Sequence, residues 1–254
     1  MNGAKQVVSR LLGAMGLSLV SDRWIQAGEL SQHEKDLVRY VLDRKLSMGS
    51  TARLVSTLKA CNYVVDNGVL GDFVEAGVWR GGHGLIAGKV FQNCSSDRQV
   101  WMFDTFGGMT EPSSVDRESN SGRIAIDHFK ESQQPDHNDW CYSALGEVKN
   151  NIEAALLDLD HFSFVIGDVE QTLLDDANLP DKIAVLRLDT DWYASTLAEL
   201  EVLYPRLSVG GVLILDDYGH WDGARLAVDE YFRDLSFRPL LSVVDYSCRI
   251  AIKV

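Results

Sequence analysis

A glycine-rich turn between an apolar strand and a helix constrains the fold of this chain more than any other feature. Residues 71–84 read GDFVEAGVWRGGHG, and the helical pattern LIAGKVF follows them. A strand, a glycine turn and a helix in this order bring backbone N–H groups close to a nucleotide-like ligand. The stretch therefore predicts an α/β fold whose ligand lies at the end of its first strand.

The rest of the chain alternates strands and helices. Apolar runs that predict strands occur in QVWMFDTF, HFSFVIGDV, KIAVLRLDT and GVLILDDY, and segments with helical spacing follow most of them. Alternating βα units imply a parallel sheet with helices on both faces. The closing residues, RPLLSVVDYSCRIAIKV, contain two apolar runs. They predict an antiparallel C-terminal hairpin at the edge of a Rossmann-like, mostly parallel seven-stranded sheet.

Residues 1–70 are predicted to form a helical extension that covers one side of a domain formed by residues 71–254. Ser31 and Glu34 have the spacing of a capping box at the start of one helix. A second helix is expected from about Ser50 to Asp66. The first 20 residues predict an amphipathic helix or arm at a subunit contact, so we expect a homo-oligomer.

Composition and charge narrow the class of partner. The net charge is -13, which argues against nucleic acid or an anionic membrane, because phosphate contacts need clustered Lys and Arg. The longest apolar run near the N-terminus, LLGAMGLSLV, is too short to span a bilayer. The four cysteines lie far apart without a C-x-x-C motif. They are typical of reduced thiols in a cytoplasmic protein.

The glycine turn favours S-adenosylmethionine over a dinucleotide. GHGLIA formally matches the dinucleotide fingerprint, but it begins several residues after the strand end. The turn itself reads E-x-G-V-W-R-G-G, with bulky residues where a pyrophosphate needs close backbone approach. Asp104 is placed to accept hydrogen bonds from the two ribose hydroxyls of the cofactor. Asp168 could hydrogen-bond the adenine amino group. Glu75 could help to bind the ammonium group of the amino-acid tail, directly or through water. For each acid, a helix cap at a strand end is the structural alternative.

A second group of acids follows strands four and five. Asp189 and Asp191 are two residues apart and share a face for as long as the strand persists. Neighbouring strands would bring Asp216 and Asp217 to the same edge, where four carboxylates favour a hard cation such as Mg²⁺. The ion would lower the pKa of an acceptor hydroxyl, and a carboxylate would remove its proton. The alternative is that Asp191 only caps the next helix.

These residues resemble the macrocin O-methyltransferase (TylF/MycF-like) family of S-adenosylmethionine- and Mg²⁺-dependent enzymes. The matching motifs are FVEAGVWRGG, FDTFGG, LRLDTDWYASTLAELEVLYPRLSVGG and LILDDY. The resemblance implies a class I S-adenosylmethionine-dependent methyltransferase fold, with Asp191 as the base. It also implies metal ligation by Asp189, Asp216 and Asp217. The cofactor contacts it implies are Glu75, Ala76, Gly77, Val78, Trp79, Gly81, Gly82, Asp104, Thr105, Phe106, Gly167, Asp168 and Asp189.

The sequence does not identify the molecule that accepts the methyl group. The family's substrates imply a sugar hydroxyl on a natural product or a bacterial surface polysaccharide, and a phenol or catechol is the alternative. The polar residues 107–143 match no family pattern and are predicted to form a lid or acceptor-binding insertion, against the alternative of a disordered loop. A non-catalytic cofactor-binding subunit and a nicotinamide oxidoreductase are the rival classes.

Overall fold

A seven-stranded sheet forms the centre of the molecule. The computed structural model describes residue 25, residues 28–233 and residues 235–254. The strands are β1 (Asp72–Ala76), β2 (Val100–Asp104), β3 (Phe162–Ile166), β4 (Ile183–Leu188), β5 (Leu207–Leu215), β6 (Ser242–Val243) and β7 (Arg249–Ile252). Their order across the sheet is β3-β2-β1-β4-β5-β7-β6.

The pairing confirms the predicted topology. β1 pairs in parallel with β2 and β4, β2 with β3, and β4 with β5. The C-terminal hairpin adds β7 antiparallel to β5 and β6 antiparallel to β7. The strand order reverses next to β1, which is the position where open α/β sheets bind ligands at the carboxyl ends of their strands.

Eight α-helices are described. They are α1 (Gln32–Asp43), α2 (Thr51–Asp66), α3 (Gly82–Asn93), α4 (Ala125–Glu131), α5 (Leu145–Ala154), α6 (Val169–Thr172), α7 (Tyr193–Val202) and α8 (Asp222–Arg233). The helix α3 begins two residues earlier than its pattern predicts, after Gly81 with a φ of 82°. The helix α7 is shorter than predicted: it ends at Val202, and a 3-10 turn over Tyr204–Arg206 follows, because Pro205 has no N–H to continue the α-helical hydrogen bonds.

Two apolar cores cover the two faces of the sheet. Successive strand residues point into opposite cores. Phe73 packs in the core beneath α1, α2 and α3, and Val74 packs in the core beneath α7 and α8. None of the helices in the described ranges is both long and apolar enough to cross a bilayer.

The N-terminal helices follow their sequence signals. Ser31 and Glu34 form the predicted capping box, with the Ser31 N–H donating to Glu34 Oε2 at 2.7 Å. The helix α2 ends at Asp66, as expected, and Asn67 is its C-cap. The arm predicted for the first 20 residues lies outside the described residues.

Residues 107–143, hereafter the insertion, contain secondary structure. The helix α4 forms within the segment GRIAIDHFKES, as its pattern predicts. Glu118 forms an isolated antiparallel bridge with Trp221 at the start of α8. The fully buried Asp116 accepts hydrogen bonds from the Tyr193 N–H at 2.8 Å and from the Ser113 N–H at 2.7 Å. The insertion is therefore fixed to the start of α7; its role as a lid stays a prediction.

Candidate active site

A cavity of about 410 Å³ opens at the carboxyl ends of β1, β2, β4 and β5. It contains most of the acids that the sequence singles out. The predicted site residues that line it are Glu75, Gly77, Val78, Trp79, Asp104, Asp189, Asp191, Asp216 and Asp217. A second cavity of about 50 Å³ is lined by Thr105, Gly167 and Asp168, and it shares Gly77 and Asp104 with the first. The ligand site expected from the topology is thus present.

Four residues predicted to contact the cofactor line neither cavity. Ala76 and Phe106 are buried in the two cores. Gly81 is the N-cap of α3, and Gly82 donates its N–H to the Leu46 carbonyl oxygen at 3.0 Å. A Cβ at Gly82 would overlap that oxygen, so glycine is required here for packing against the N-terminal extension. Cofactor contact by these four residues stays a prediction.

The turn after β1 is set by close packing against the end of β4. Gly77 has a φ of 81°, and a Cβ at this position would overlap the Asp189 carbonyl oxygen. The Asp189 N–H donates to the Ala76 carbonyl at 2.9 Å. The glycine that follows Glu75 is thereby explained, because no side chain fits between the two strand ends.

Asp104 and Asp168 both accept backbone hydrogen bonds beside the cavities. Asp104 accepts from the N–H groups of Val78 at 2.8 Å and Phe106 at 2.7 Å, which fixes the β1 turn against the end of β2. Asp168 accepts from the Glu170 N–H at 3.0 Å and caps α6. The helix-cap alternative therefore holds for Asp168, which also borders the smaller cavity.

Arg187 is the central residue of the site, and the sequence analysis did not find it. Its side chain is 1% exposed. Its guanidinium donates to Glu75 Oε1 at 3.2 Å, to Asp189 Oδ2 at 2.6 Å and to the Asp216 carboxylate. The signal was available in LRLD, because an arginine inside a fully buried strand requires acidic partners.

The N-terminal extension supplies a second buried arginine. Arg53 of α2 pairs with Asp216 and, at 2.8 Å, with Asp245 before β7. The loop before α2 adds Leu46, Ser47, Met48 and Gly49 to the cavity wall. Residues outside the predicted domain therefore belong to the site, and no local sequence pattern marks Arg53 for this role.

Burial alters the protonation of Glu75. Its carboxyl group is 1% exposed, and desolvation raises its pKa to about 8, against the opposing charge of Arg187 and a 3.0 Å hydrogen bond from the Gly84 N–H. The side chain ties β1 to the start of α3. Its predicted contact with an ammonium group stays a prediction.

Asp191 and Asp217 form an acid pair without an arginine. The strand β4 ends at Leu188, so the expectation that Asp189 and Asp191 share a strand face is wrong; Asp191 instead adopts a φ of 68°. Its carboxyl group lies beside Asp217 and Trp221, and burial raises its pKa to about 7. Burial and the charge of Asp191 also raise the pKa of Asp217 well above its ordinary value.

The helix-cap alternative is wrong for Asp191. The N–H of Tyr193, the first residue of α7, donates to Asp116 of the insertion instead. The Asp191 side chain is directed to Asp217 and Trp221. This leaves its carboxyl group available at the cavity.

Three of the acids fit a hard divalent cation. One oxygen each of Asp189, Asp216 and Asp217 lies within 4.8 Å of the others. The buried Asp217 Oδ2 has no hydrogen-bond partner among the described residues. All-oxygen ligation by carboxylates suits Mg²⁺ or a similar ion. We call the set Asp189, Asp191, Asp216 and Asp217 the carboxylate rim.

Comparison with known proteins identifies the family. A family model described as Macrocin-O-methyltransferase (TylF) matches residues 25–251. The chain belongs to this family. It is 40% identical over 171 residues to the 8-demethyl-8-(2,3-dimethoxy-alpha-L-rhamnosyl)-tetracenomycin-C 4'-O-methyltransferase of Streptomyces olivaceus, covering 66% of this chain and 60% of that relative. It is 34% identical over 195 residues to the demethyldecarbamoylnovobiocin O-methyltransferase of Streptomyces niveus, covering 76% and 70%.

Solved structures agree with the fold of this family. The O-methyltransferase NovP superimposes with a TM-score of 0.71 and 30% identity over 82% of each chain. CalS11, a calicheamicin methyltransferase, covers 99% of this chain and 93% of its own, with a TM-score of 0.61 at 17% identity, a level that shows the fold alone. The predicted fold, a class I S-adenosylmethionine-dependent methyltransferase with an antiparallel C-terminal hairpin, is confirmed.

Proposed function

We propose that this protein transfers a methyl group from S-adenosylmethionine to a sugar hydroxyl of a natural product or a bacterial surface polysaccharide. We further propose that the reaction depends on a divalent cation such as Mg²⁺. The observation that carries the proposal is the carboxylate rim, which lies in one cavity with the turn after β1. Membership of the macrocin O-methyltransferase family supports the reaction class.

The turn after β1 and the ends of β2 and β3 would bind the cofactor. Asp104 lies between the two cavities and Asp168 borders the smaller one, so a ligand that spans both would contact both acids. Bound S-adenosylmethionine would supply an electrophilic methyl group. The protein's contribution is orientation, which accounts for roughly 7–11 kcal/mol of a barrier in favourable cases.

Asp189, Asp216 and Asp217 would hold the cation. A metal ion bound there would lower the pKa of a coordinated hydroxyl group. The rim carries more negative charge than Arg53 and Arg187 neutralise, since Glu75 and Asp245 share these two arginines with it. A buried excess of carboxylates is relieved either by protonation or by a cation.

Asp191 is the proposed general base. It borders the cavity beside the proposed metal ligands, and burial raises the pKa of its carboxyl group to about 7 in the metal-free protein. Asp217 and Trp221 hold the carboxyl group in place. A proton taken from the acceptor would thus be held on a side chain that the structure keeps apart from Arg187.

A sugar acceptor is favoured by the names of the relatives. The Streptomyces olivaceus relative is named for a rhamnosyl compound, and a Micromonospora griseorubida relative, 34% identical over 168 residues, is a mycinamicin III 3''-O-methyltransferase. This chain covers 60% and 61% of the length of these two relatives. The acceptor class is therefore part of the proposal.

Calorimetric titration and a methyl-transfer assay test the proposal. We expect S-adenosylhomocysteine to bind, and methyl transfer to methyl α-L-rhamnopyranoside to stop in EDTA and return with Mg²⁺. Full activity in EDTA would show that the rim acids are structural. Binding of NAD without binding of S-adenosylhomocysteine would overturn the assignment, and transfer to catechol alone would replace the sugar with a phenol.

Direct metal titration tests the ligand set without an acceptor. Asp217→Asn should weaken Mn²⁺ binding by at least ~10-fold, because it removes a buried anionic ligand. Asp116→Asn is the matched control, since this aspartate is also buried and lies outside the cavity. Equal Mn²⁺ affinity in both variants would remove Asp217 from the metal site.

A further inference from the structure

A third hydrophobic cluster lies apart from the two cores of the sheet. Its buried members are Ala125, Trp192, Trp221 and Ala224, and Met109 and Trp140 pack against it. The cluster joins the insertion to the residues that follow β4 and β5. It therefore lies beside Asp191 and Asp217, the two rim acids without an arginine.

Three indole rings form the face of this cluster, and we call Trp140, Trp192 and Trp221 the aromatic wall. Their ring centroids are 5.0–6.0 Å apart, with interplanar angles of 59–71°. Such edge-to-face contacts hold each ring at an angle to its neighbours. Trp140 and Trp221 line the main cavity, whereas Trp192 is buried behind them and donates its Nε1–H to the Thr110 carbonyl at 3.0 Å.

The backbone of Trp140 is fixed by a buried side chain. Its N–H donates to Asn138 Oδ1 at 2.9 Å, and Asn138 Nδ2 donates to the Phe129 carbonyl at 2.9 Å. Asn138 is 3% exposed. A Cβ at Gly108 would overlap the Asn138 carbonyl oxygen, so the insertion closes tightly around this residue. Trp140 is thus held in position before any ligand binds.

Polar side chains surround the wall at the cavity mouth. His128 lies 4.4 Å from Trp140 and His220 lies 4.8 Å from Trp221, measured between ring centroids. Glu118 and Arg123 of the insertion complete this side of the cavity. An apolar ring face bordered by several hydrogen-bonding groups is typical of a site that binds a polar ring through one apolar face.

We propose that the acceptor's sugar ring packs against Trp140, and that Trp140 is a specificity-determining residue. This inference rests on the proposed methyl transfer to a sugar. A pyranose has a face of C–H bonds that can lie on an indole ring, and its remaining hydroxyl groups would meet Glu118, Arg123 and His128. The reacting hydroxyl would then point to Asp191, which Trp221 of the same wall contacts.

A pyranose suits this cavity better than a phenol does. The three indoles meet edge to face and do not form a slot with two parallel walls that would sandwich a planar ring. Beside the wall, the cavity is also lined by Glu118, Arg123 and His128, which are more hydrogen-bonding groups than a phenol or catechol would use. Such groups are matched by an acceptor with several hydroxyls.

Saturation-transfer NMR with methyl α-L-rhamnopyranoside tests the inference on the full chain with S-adenosylhomocysteine and Mg²⁺. The variants are Trp140→Ala, Trp140→Phe and, as matched control, Trp101→Phe, because Trp101 lies on β2 outside the cavity and hydrogen-bonds to Asp72. We expect Trp140→Ala to weaken sugar binding at least ~5-fold while the affinity for S-adenosylhomocysteine stays within about twofold. Trp140→Phe should restore most of the binding, and Trp101→Phe should leave it unchanged.

The outcomes separate this inference from the proposed function. Sugar affinity in Trp140→Ala equal to that of the wild type would overturn the role of Trp140 and leave sugar methylation standing. Binding of S-adenosylhomocysteine without any saturation transfer to the sugar would also overturn it. Failure to bind S-adenosylhomocysteine would overturn the proposed function instead. Saturation transfer could instead reach catechol and not the sugar, and be lost in Trp140→Ala. That result would overturn both the proposed sugar acceptor and the packing of a sugar on Trp140.

Discussion

The acids at the carboxyl ends of β4 and β5 fall into two groups that differ in their counter-charges. Asp189 and Asp216 contact Arg187, and Asp216 also contacts Arg53. Asp191 and Asp217 contact each other, and Asp217 Oδ2 has no partner among the described residues. The arginines hold the first group in place, whereas no arginine of the described residues lies within ion-pair distance of the second group. We therefore expect the two groups to differ in their contributions to stability and to proton transfer.

Removal of Arg187 is expected to have the largest effect. Arg187→Met would leave the buried Glu75 and Asp216, and the partly exposed Asp189, without their shared cation, and we expect a loss of about 3–5 kcal/mol in the free energy of unfolding. Urea denaturation measures this loss. Arg206→Met is the control, because Arg206 pairs with Asp176, whose carboxylate is largely exposed. A loss below ~1 kcal/mol would mean that the arginine-paired group is not structural.

Asp191→Asn tests the group of rim acids that contacts no arginine. The amide keeps the size of the side chain but cannot accept the proton, so kcat should fall by roughly 10²–10⁴. The affinity for S-adenosylhomocysteine should stay unchanged, and a titration of the variant serves as the control for folding. A near-normal kcat would remove Asp191 as the base and erase the functional difference between the two groups.

The unpaired group should also make stability depend on pH. Burial raises the pKa of Asp191 from its ordinary value of 3.8 to about 7, so the folded metal-free protein binds a proton more tightly than the unfolded chain does. The contribution of Asp191 to the free energy of unfolding is therefore largest at low pH and is lost as pH rises from about 4 to 7. Melting temperatures across this range, measured in EDTA, should show a shallower decline for Asp191→Asn than for the wild type. An equal decline of the melting temperature in both proteins would contradict the buried environment of Asp191.

The smallest expected effect concerns a buried acid outside the rim. Asp116 bonds to backbone N–H groups and to the Ser113 hydroxyl, so neither an arginine nor a second acid is involved. Asp116→Ala should cost about 1–3 kcal/mol, because it removes the cap of α7 and leaves buried donors unsatisfied. Asp168→Ala, at the cap of the short α6, is the comparison and should cost less. The reverse order would argue against anchoring of the insertion by Asp116.

Much of the fold was predictable because its signals are local. Apolar runs and helical spacing specify the order of strands and helices, and the β4–β5 pairing that unites the rim follows from the topology. The strand-end acids were predictable for the same reason. Their individual environments were not, since the close approach of Gly77 to Asp189 joins distant segments, and no local pattern marks the end of β4 at Leu188 or the φ of 68° at Asp191.

The arginine partners show where sequence information stops. Arg187 was detectable, because a charged residue in a buried strand must be neutralised. Arg53 was not, since its partners lie 163 and 192 residues further along the chain and nothing in α2 points to them. Likewise, the aromatic wall joins Trp140 to Trp192 and Trp221 across segments that no periodicity connects.

The ion pairs of Arg53 have a consequence for the order in which the site forms during synthesis. Arg53 is synthesised before both of its partners, because Asp216 and Asp245 lie 163 and 192 residues further along the chain. Arg53 can pair with Asp216 once β5 has formed, but its pair with Asp245 must wait until the segment between β6 and β7 docks. A nascent chain would therefore hold Arg53 against Asp216 alone, and the full set of ion pairs beside the rim would arise only after the hairpin has docked.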